Sequence, residues 1–313
     1  MRRRRSVLLS AGAVLLALVL VGASSAEIKA HLDGRSKPVA LLVAGPTPTQ
    51  PPAALPAPTA APEPTAPEPT ATLGPRAQKA IAEAERNGAD ISFTLLDRTT
   101  GKVVSGGDPV PFPIASVAKL FIADDLLLET SRKRAVLSPE DRRGLELMLR
   151  SSDDFPADEF WIRDGRNEIV TRVAERYKLT STTPPYNGDW WNTMSTTADL
   201  VRYYAKLLDG TGGLPRDQAN IIMANLAAST PLGIDGYPQR FGIPDGLFAE
   251  PVAVKQGWMC CWAPDKQVHL TTGVIGSDRR YVIAMASMQP VDEATARDTL
   301  TQALKTMFPG GRI

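Results

Sequence analysis

One lysine stands inside an otherwise apolar run, and the chain has to account for it. From Phe112 to Leu128 the sequence reads Phe-Pro-Ile-Ala-Ser-Val-Ala-Lys-Leu-Phe-Ile-Ala-Asp-Asp-Leu-Leu-Leu, in which Lys119 is the only charge between Ser116 and Asp124. The run is too long and too rich in Ala and Leu for a strand, so it predicts a buried helix. Pro113 fixes the approach, Ser116 falls in the first turn, and Lys119 lies one turn above it on the same face. Burial disfavours an ammonium, lowers its pKa and makes the amine a base. A serine hydroxyl needs such a base to act as a nucleophile, and the unpaired N–H groups of a helix start suit an oxyanion. The plainer reading is that Ser116 caps a core helix while Lys119 reaches solvent along its stem. Ser-x-x-Lys is too short a pattern to choose between the two.

The rest of the 313 residues narrows the choice. Residues 1–26 have the organisation of an export signal: four consecutive arginines, an uncharged apolar run from Val7 to Val21, and small residues up to Ala26. The run lies at the border between a signal peptide and an amino-terminal membrane anchor, and either leaves the remainder outside the cytoplasm. No cysteine follows it, which does not support a lipid-modified start. Residues 27–75 form a linker, nearly all Pro, Ala, Thr and Glu from Gly45 onward. Such a composition builds no core and favours polyproline geometry, about 90 Å for some thirty residues. The formal net charge is +1, and removing the four amino-terminal arginines leaves −3. A mildly acidic protein lacks the basic footprint of a nucleic-acid binder.

The folded domain is expected over 76–313. Helical patterns fall at 77–87, 139–150, 168–177, 197–208, 216–226 and 294–307. Strand patterns fall at 91–97, 103–104, 252–255, 269–275 and 281–287, the first two forming a hairpin around Thr99-Thr100-Gly101-Lys102. Strands at both ends with helices between them predict an α+β fold: one antiparallel sheet assembled from both termini, flanked by helices, with a helical subdomain inserted.

Two further short motifs follow the serine in order. Ser152-Asp153-Asp154 comes after a helical pattern, and Lys255-Gln256-Gly257 ends a strand pattern. With Ser116-Val117-Ala118-Lys119 they resemble the motif set of the serine β-lactamase and penicillin-binding protein superfamily, in a layout most similar to class A β-lactamases. The resemblance implies that Ser116 is the acylated nucleophile, Lys119 its proton acceptor and Ser152 a proton shuttle to the leaving amine. It also implies that Lys255 attracts a substrate carboxylate, that the backbone N–H groups of Ser116 and Trp258 form an oxyanion hole, and that Asp154, Gln256 and Gly257 line the substrate site. The partner implied is a β-lactam or a peptidoglycan stem peptide, with no cofactor.

Three departures bear on that expectation. Asp154 replaces the asparagine of the second motif and can pair with Lys119, raising its pKa. Gln256 replaces a hydroxyl residue and donates from a longer arm. The loop that carries the deacylating glutamate in class A enzymes corresponds to residues 180–192, which hold no Glu. Asp189 is the nearest substitute there, as a water-activating base or as a turn residue, and Trp190 and Trp191 either floor a cleft or pack the loop. Two functions are therefore open: an exported serine hydrolase that is acylated on Ser116 and deacylates weakly, or a catalytically silent domain that binds or scaffolds the cell wall.

The only cysteines, Cys260 and Cys261, are adjacent. On a strand they would face opposite ways, so they are expected as free thiols or an inter-chain bridge. Two histidines, His31 and His269, supply no usual zinc ligand set.

Overall fold

The computed structural model describes residues 72–313. The expected signal or anchor, nearly all of the linker, and His31 lie outside the described residues.

The first helix, α1 (Leu73–Arg86), begins three residues before the expected boundary. Pro75 falls in its first turn, where a missing N–H and a fixed φ do no harm. Leu73, Ala77, Ala80, Ile81 and Ala84 make its buried face. The hairpin follows as β1 (Asp90–Asp97) and β2 (Val103–Gly107), then a short β3 (Phe112–Pro113). A 3-10 turn, Ala115–Ala118, opens α2 (Lys119–Arg132). The helical part contains α3 (Pro139–Arg150), α4 (Asp154–Arg163) and α5 (Asn167–Tyr177). After a loop come β4 (Met194–Ser195), α6 (Thr197–Asp209), α7 (Arg216–Ala227) and the single turn α8 (Ile243–Gly246). The chain closes with β5 (Val252–Met259), β6 (Gln267–Ile275), β7 (Tyr281–Gln289) and α9 (Glu293–Met307).

The sheet order is β2-β1-β7-β6-β5, and every neighbouring pair is antiparallel. The two termini thus meet in its centre, where Asp90–Asp97 runs against Tyr281–Gln289. Both faces are covered. On β7, Val282, Ala284 and Ala286 enter the core beneath α2 and the helical part, while Ile283 and Met285 enter a second core with α1 and α9. Strand alternation assigns the two sets, and burial on both sides explains why β7 reads as a continuous apolar run. The α+β architecture expected from the pattern is the one observed.

Beyond the expected elements, β3 pairs with β4 through Phe112 opposite Ser195 and Pro113 opposite Met194. This small ribbon fixes the chain just before Ser116. Helix α2 is then buried from Lys119 to Leu128, Asp124 and Asp125 included. Those two carboxylates are not left bare. Asp125 is clamped by Arg172 at 2.9 and 2.6 Å, and Asp124 accepts from Arg176, Tyr177 and Tyr203. The two arginines lie one turn apart on α5, so one helix neutralises both charges of the serine-bearing helix. Truncating Arg176→Ala leaves a fully buried carboxylate without its cation, and is expected to cost about 3 to 5 kcal/mol. A fall in the urea midpoint of unfolding checks it; an unchanged midpoint contradicts it.

Candidate active site

The 3-10 turn makes the serine and lysine meet. With three residues per turn, positions i and i+3 stack directly, closer in register than an α-helix would bring them. Lys119 Nζ donates to Ser116 Oγ at 3.0 Å and lies over the Trp190 ring at 4.7 Å. It also donates to Ser152 O at 2.7 Å and Ser152 Oγ at 3.2 Å. From the other side, Lys255 Nζ donates to Ser152 Oγ at 2.9 Å and Gln256 O at 3.0 Å. The four residues that the two sequence readings single out therefore form one hydrogen-bonded chain: Ser116, Lys119, Ser152, Lys255.

Both lysines are buried, Lys119 with no exposed surface. Lys119 therefore does not reach solvent along its stem. Desolvation is the largest influence on each and pushes both pKa values down; for Lys255 the neighbouring Lys119 charge adds to the fall, which carries it well below the ordinary lysine value. The Lys119–Asp154 pair, at 2.5 Å, opposes this at Lys119 without reversing it. The Asp154 side chain is 70% exposed, so solvent weakens its hold on the ammonium. Ser116 Oγ is not turned away by this pair; it keeps its bond to the lysine.

Asp154 occupies that place because the second motif opens a helix. Asp153 is the N-cap of α4 and accepts from Phe155 N at 3.0 Å, which sets Asp154 in the first turn facing Lys119. Two backbone positions here are left-handed without being glycine: Ala115 (φ 46°), just before the serine, and Ser152 (φ 55°). Such conformations cost of the order of 1–3 kcal/mol and persist where the surroundings impose them.

A cavity of about 170 Å³ opens over this chain, lined by Ser116, Ser152, Asp154, Trp190, Trp191, Asp235, Trp258 and Met259. Ser116 and Trp258, the pair whose backbone N–H groups the resemblance assigns to an oxyanion hole, both reach it. Trp258 is backed by Tyr237, its ring stacked at 4.5 Å and 7°. Gly257 faces Ile114 rather than the cavity: a Cβ there would lie 2.8 Å from Ile114 O, so the glycine lets β5 approach the serine turn.

Gln256 departs from its expected role. Its Nε2 donates to Gln239 O at 2.9 Å and Phe241 O at 2.6 Å, and the side chain is buried. It holds the segment before α8 instead of lining the cleft. Asp189 departs from the water-activating role in the same way. It is bound to Asn187 through Nδ2 at 2.7 Å and through its own N–H to Oδ1 at 3.2 Å, as a turn residue is. Trp190 and Trp191 do floor the cleft. Their loop is pinned by Trp190 Nε1 on Asp158 at 2.7 Å and by Trp161 Nε1 on Gly188 O at 2.9 Å.

Cys260 and Cys261 are bonded to each other, contrary to the free thiols expected. They lie beyond the end of β5, where strand alternation no longer separates their side chains, and the peptide joining them is cis. In the same loop Trp262 meets the Tyr186 ring edge-on at 6.4 Å, which joins the two loops. Sequence reasoning also missed Asp235. The Asp235-Gly236 pair marks a turn, but nothing in the pattern says that this turn faces the serine. The turn gets there because Ile234 N donates to Ser151 O at 2.8 Å.

No protein-family model matches the chain. It is, however, 52% identical to the protein named "Putative lipoprotein LppW" in Mycobacterium bovis and Mycobacterium tuberculosis, over 325 aligned positions spanning 100% of both chains. The chain belongs to the LppW family. A lipoprotein is an envelope protein outside the cytoplasm, the location expected here from the amino-terminal segment. Among solved structures, this LppW-family chain is similar to a class A β-lactamase of Bacteroides cellulosilyticus, with TM-score 0.62 and 13% identity over 76% of this chain and 97% of that one. It is equally similar to PBP-A, with TM-score 0.63 and 16% identity over 75% and 95%. At such identities the likeness establishes the fold: this LppW-family domain has the serine β-lactamase and penicillin-binding protein architecture.

Proposed function

We propose that the chain is an exported serine hydrolase of the β-lactamase and penicillin-binding type, acylated on Ser116 by β-lactams or peptidoglycan stem peptides and slow to deacylate. The observation that carries this reading is the buried Lys119 amine 3.0 Å from Ser116 Oγ, with burial pushing its pKa down. Ser116 Oγ attacks the carbonyl carbon as its proton passes to Lys119 Nζ. The oxyanion is received by the backbone N–H groups of Ser116 and Trp258. The carbon–nitrogen bond then breaks as Ser152 Oγ, placed between the two lysines, delivers a proton to the leaving nitrogen. Slow deacylation follows from what stands beside Lys119: the Trp190 ring, with Asp189 tied to Asn187.

The same reading takes residues 1–26 as a signal peptide or membrane anchor and 27–75 as a tether that carries the domain into the cell wall. The relatives' name describes a lipid-modified protein, yet this chain's only cysteines are Cys260 and Cys261, so any anchoring here rests on the apolar segment itself. A second reading, a silent cell-wall binding domain, is favoured by the Lys119–Asp154 ion pair and the inward Gln256.

Intact mass decides between them. The purified chain is incubated in turn with a penicillin and with a short acyl-peptide thioester, beside Ser116→Ala. A lasting adduct in the parent and none in the variant is the expected result. Product without an adduct would mean that a group other than Asp189 activates water. Neither adduct nor product from both reagents would favour the silent domain.

A further inference from the structure

The walls of the cavity carry negative charge. They hold two carboxylates, Asp154 and Asp235, and three indoles, and among the described residues no lysine, arginine or histidine side chain lines it. The two lysines below it are committed inward, Lys119 to Ser116, Ser152 and Asp154, and Lys255 to Ser152 and Gln256 O. Burial pushes both toward the neutral amine, which leaves the carboxylates less compensated. Asp235 is exposed, oriented by Tyr237 N on its Oδ1 at 2.9 Å, and near enough to act on the Lys119 charge. The aromatic walls add a second attraction of the same sign. Indole faces attract cations, and Trp190 already has the Lys119 Nζ over its ring at 4.7 Å.

We propose that this cleft selects an acyl donor bearing an ammonium group close to the scissile carbonyl, received in the cavity that Asp154 and Asp235 share with Trp190, Trp191 and Trp258. The inference rests on Ser116 as the acylated nucleophile and narrows the substrate class of that same site. An amino-bearing peptide side chain fits it; a carboxylate in the same place meets two like charges, which is where interfaces and sites reject wrong partners.

The test separates charge selection from acylation. Three N-acetyl tripeptide amides that differ in one side chain, lysine, norleucine or glutamate, are titrated calorimetrically into the full chain carrying Ser116→Ala. The matching thioesters are given to the parent, and adduct formation is followed by mass. The lysine peptide is expected to bind about tenfold more tightly than norleucine, with glutamate weakest and the spread shrinking as salt rises. Adduct rates are expected to follow the same order, and adding Asp235→Asn to reduce the lysine preference about threefold or more. Equal affinities, a reversed order, or no binding of any peptide overturns the proposal. Lysine preference in binding with no adduct from any thioester would remove the acylation reading and leave the charge selection standing. Adducts formed at equal rates would do the reverse.

Discussion

Lys119→Met is expected to lower acylation of Ser116 about 10³-fold while leaving the domain as stable as the parent or more so. The activity loss follows from geometry. Lys119 Nζ is the only cationic or basic nitrogen that the structure places on Ser116 Oγ among the described residues, and Lys255 is joined to the serine only through Ser152 and Lys119 itself. Without the amine, no other side chain among the described residues is bonded to the hydroxyl to accept its proton. The stability result runs against the usual cost of breaking a buried pair, and the reason is the asymmetry of this one. Lys119 is fully buried, but its partner Asp154 is 70% exposed, so the variant removes a desolvated charge and returns the other to water. Methionine fills a similar volume against Trp190 and the apolar surroundings of α2. Adduct rates by mass, read with the thermal midpoint, check both halves. A large fall in midpoint would mean that Lys119 is retained for structure, as the silent-domain reading requires.

Much of this arrangement was legible in the sequence because it is local or periodic. A charge inside an apolar run has few physical outcomes, so Ser116 and Lys119 could be paired before any contact was known. The closing strands and α9 declared themselves by period, and Ser152 and Lys255 by their motifs. The unreadable parts depend on what lies across the fold. Helix α4 was missed because Pro156 reads as a breaker, although in the first turn after the Asp153 cap it is tolerated. The motif places Gln256 in the cleft, and the Gln239 and Phe241 carbonyls that draw its amide away belong to a segment no local pattern sets beside β5. Asp235 depends on the contact between Ile234 N and Ser151 O, residues 83 positions apart in the chain, an interval that no local pattern spans. The Cys260–Cys261 bond sits in a loop whose backbone no periodic rule describes.

Asp154→Asn is expected to raise the rate of acylation by an uncharged thioester near neutral pH about tenfold and to move the acid limb of its pH profile downward. The sign follows from which form each neighbour favours. Burial disfavours the Lys119 ammonium and lowers its pKa, whereas the Asp154 carboxylate, through its charge and its hydrogen bond, favours the ammonium and raises it. The net direction is down, so acylation in the parent is expected to set in below the ordinary lysine range. Asparagine keeps the shape and an accepting oxygen but removes the negative charge, so the lysine pKa falls further and more free amine is present at a given pH below it. A shift of one unit is tenfold in amine while the pH lies below that pKa, and the gain vanishes above it. The substitution also restores the residue that the superfamily motif carries at this place, which the resemblance assigns to the substrate's side-chain amide. The profile of adduct formation against pH, compared between parent and variant, checks the argument. An unchanged limb would mean that solvent already screens the exposed carboxylate, and that burial alone sets the base. Loss of acylation at every pH would mean that Asp154, not Lys119, takes the proton from Ser116.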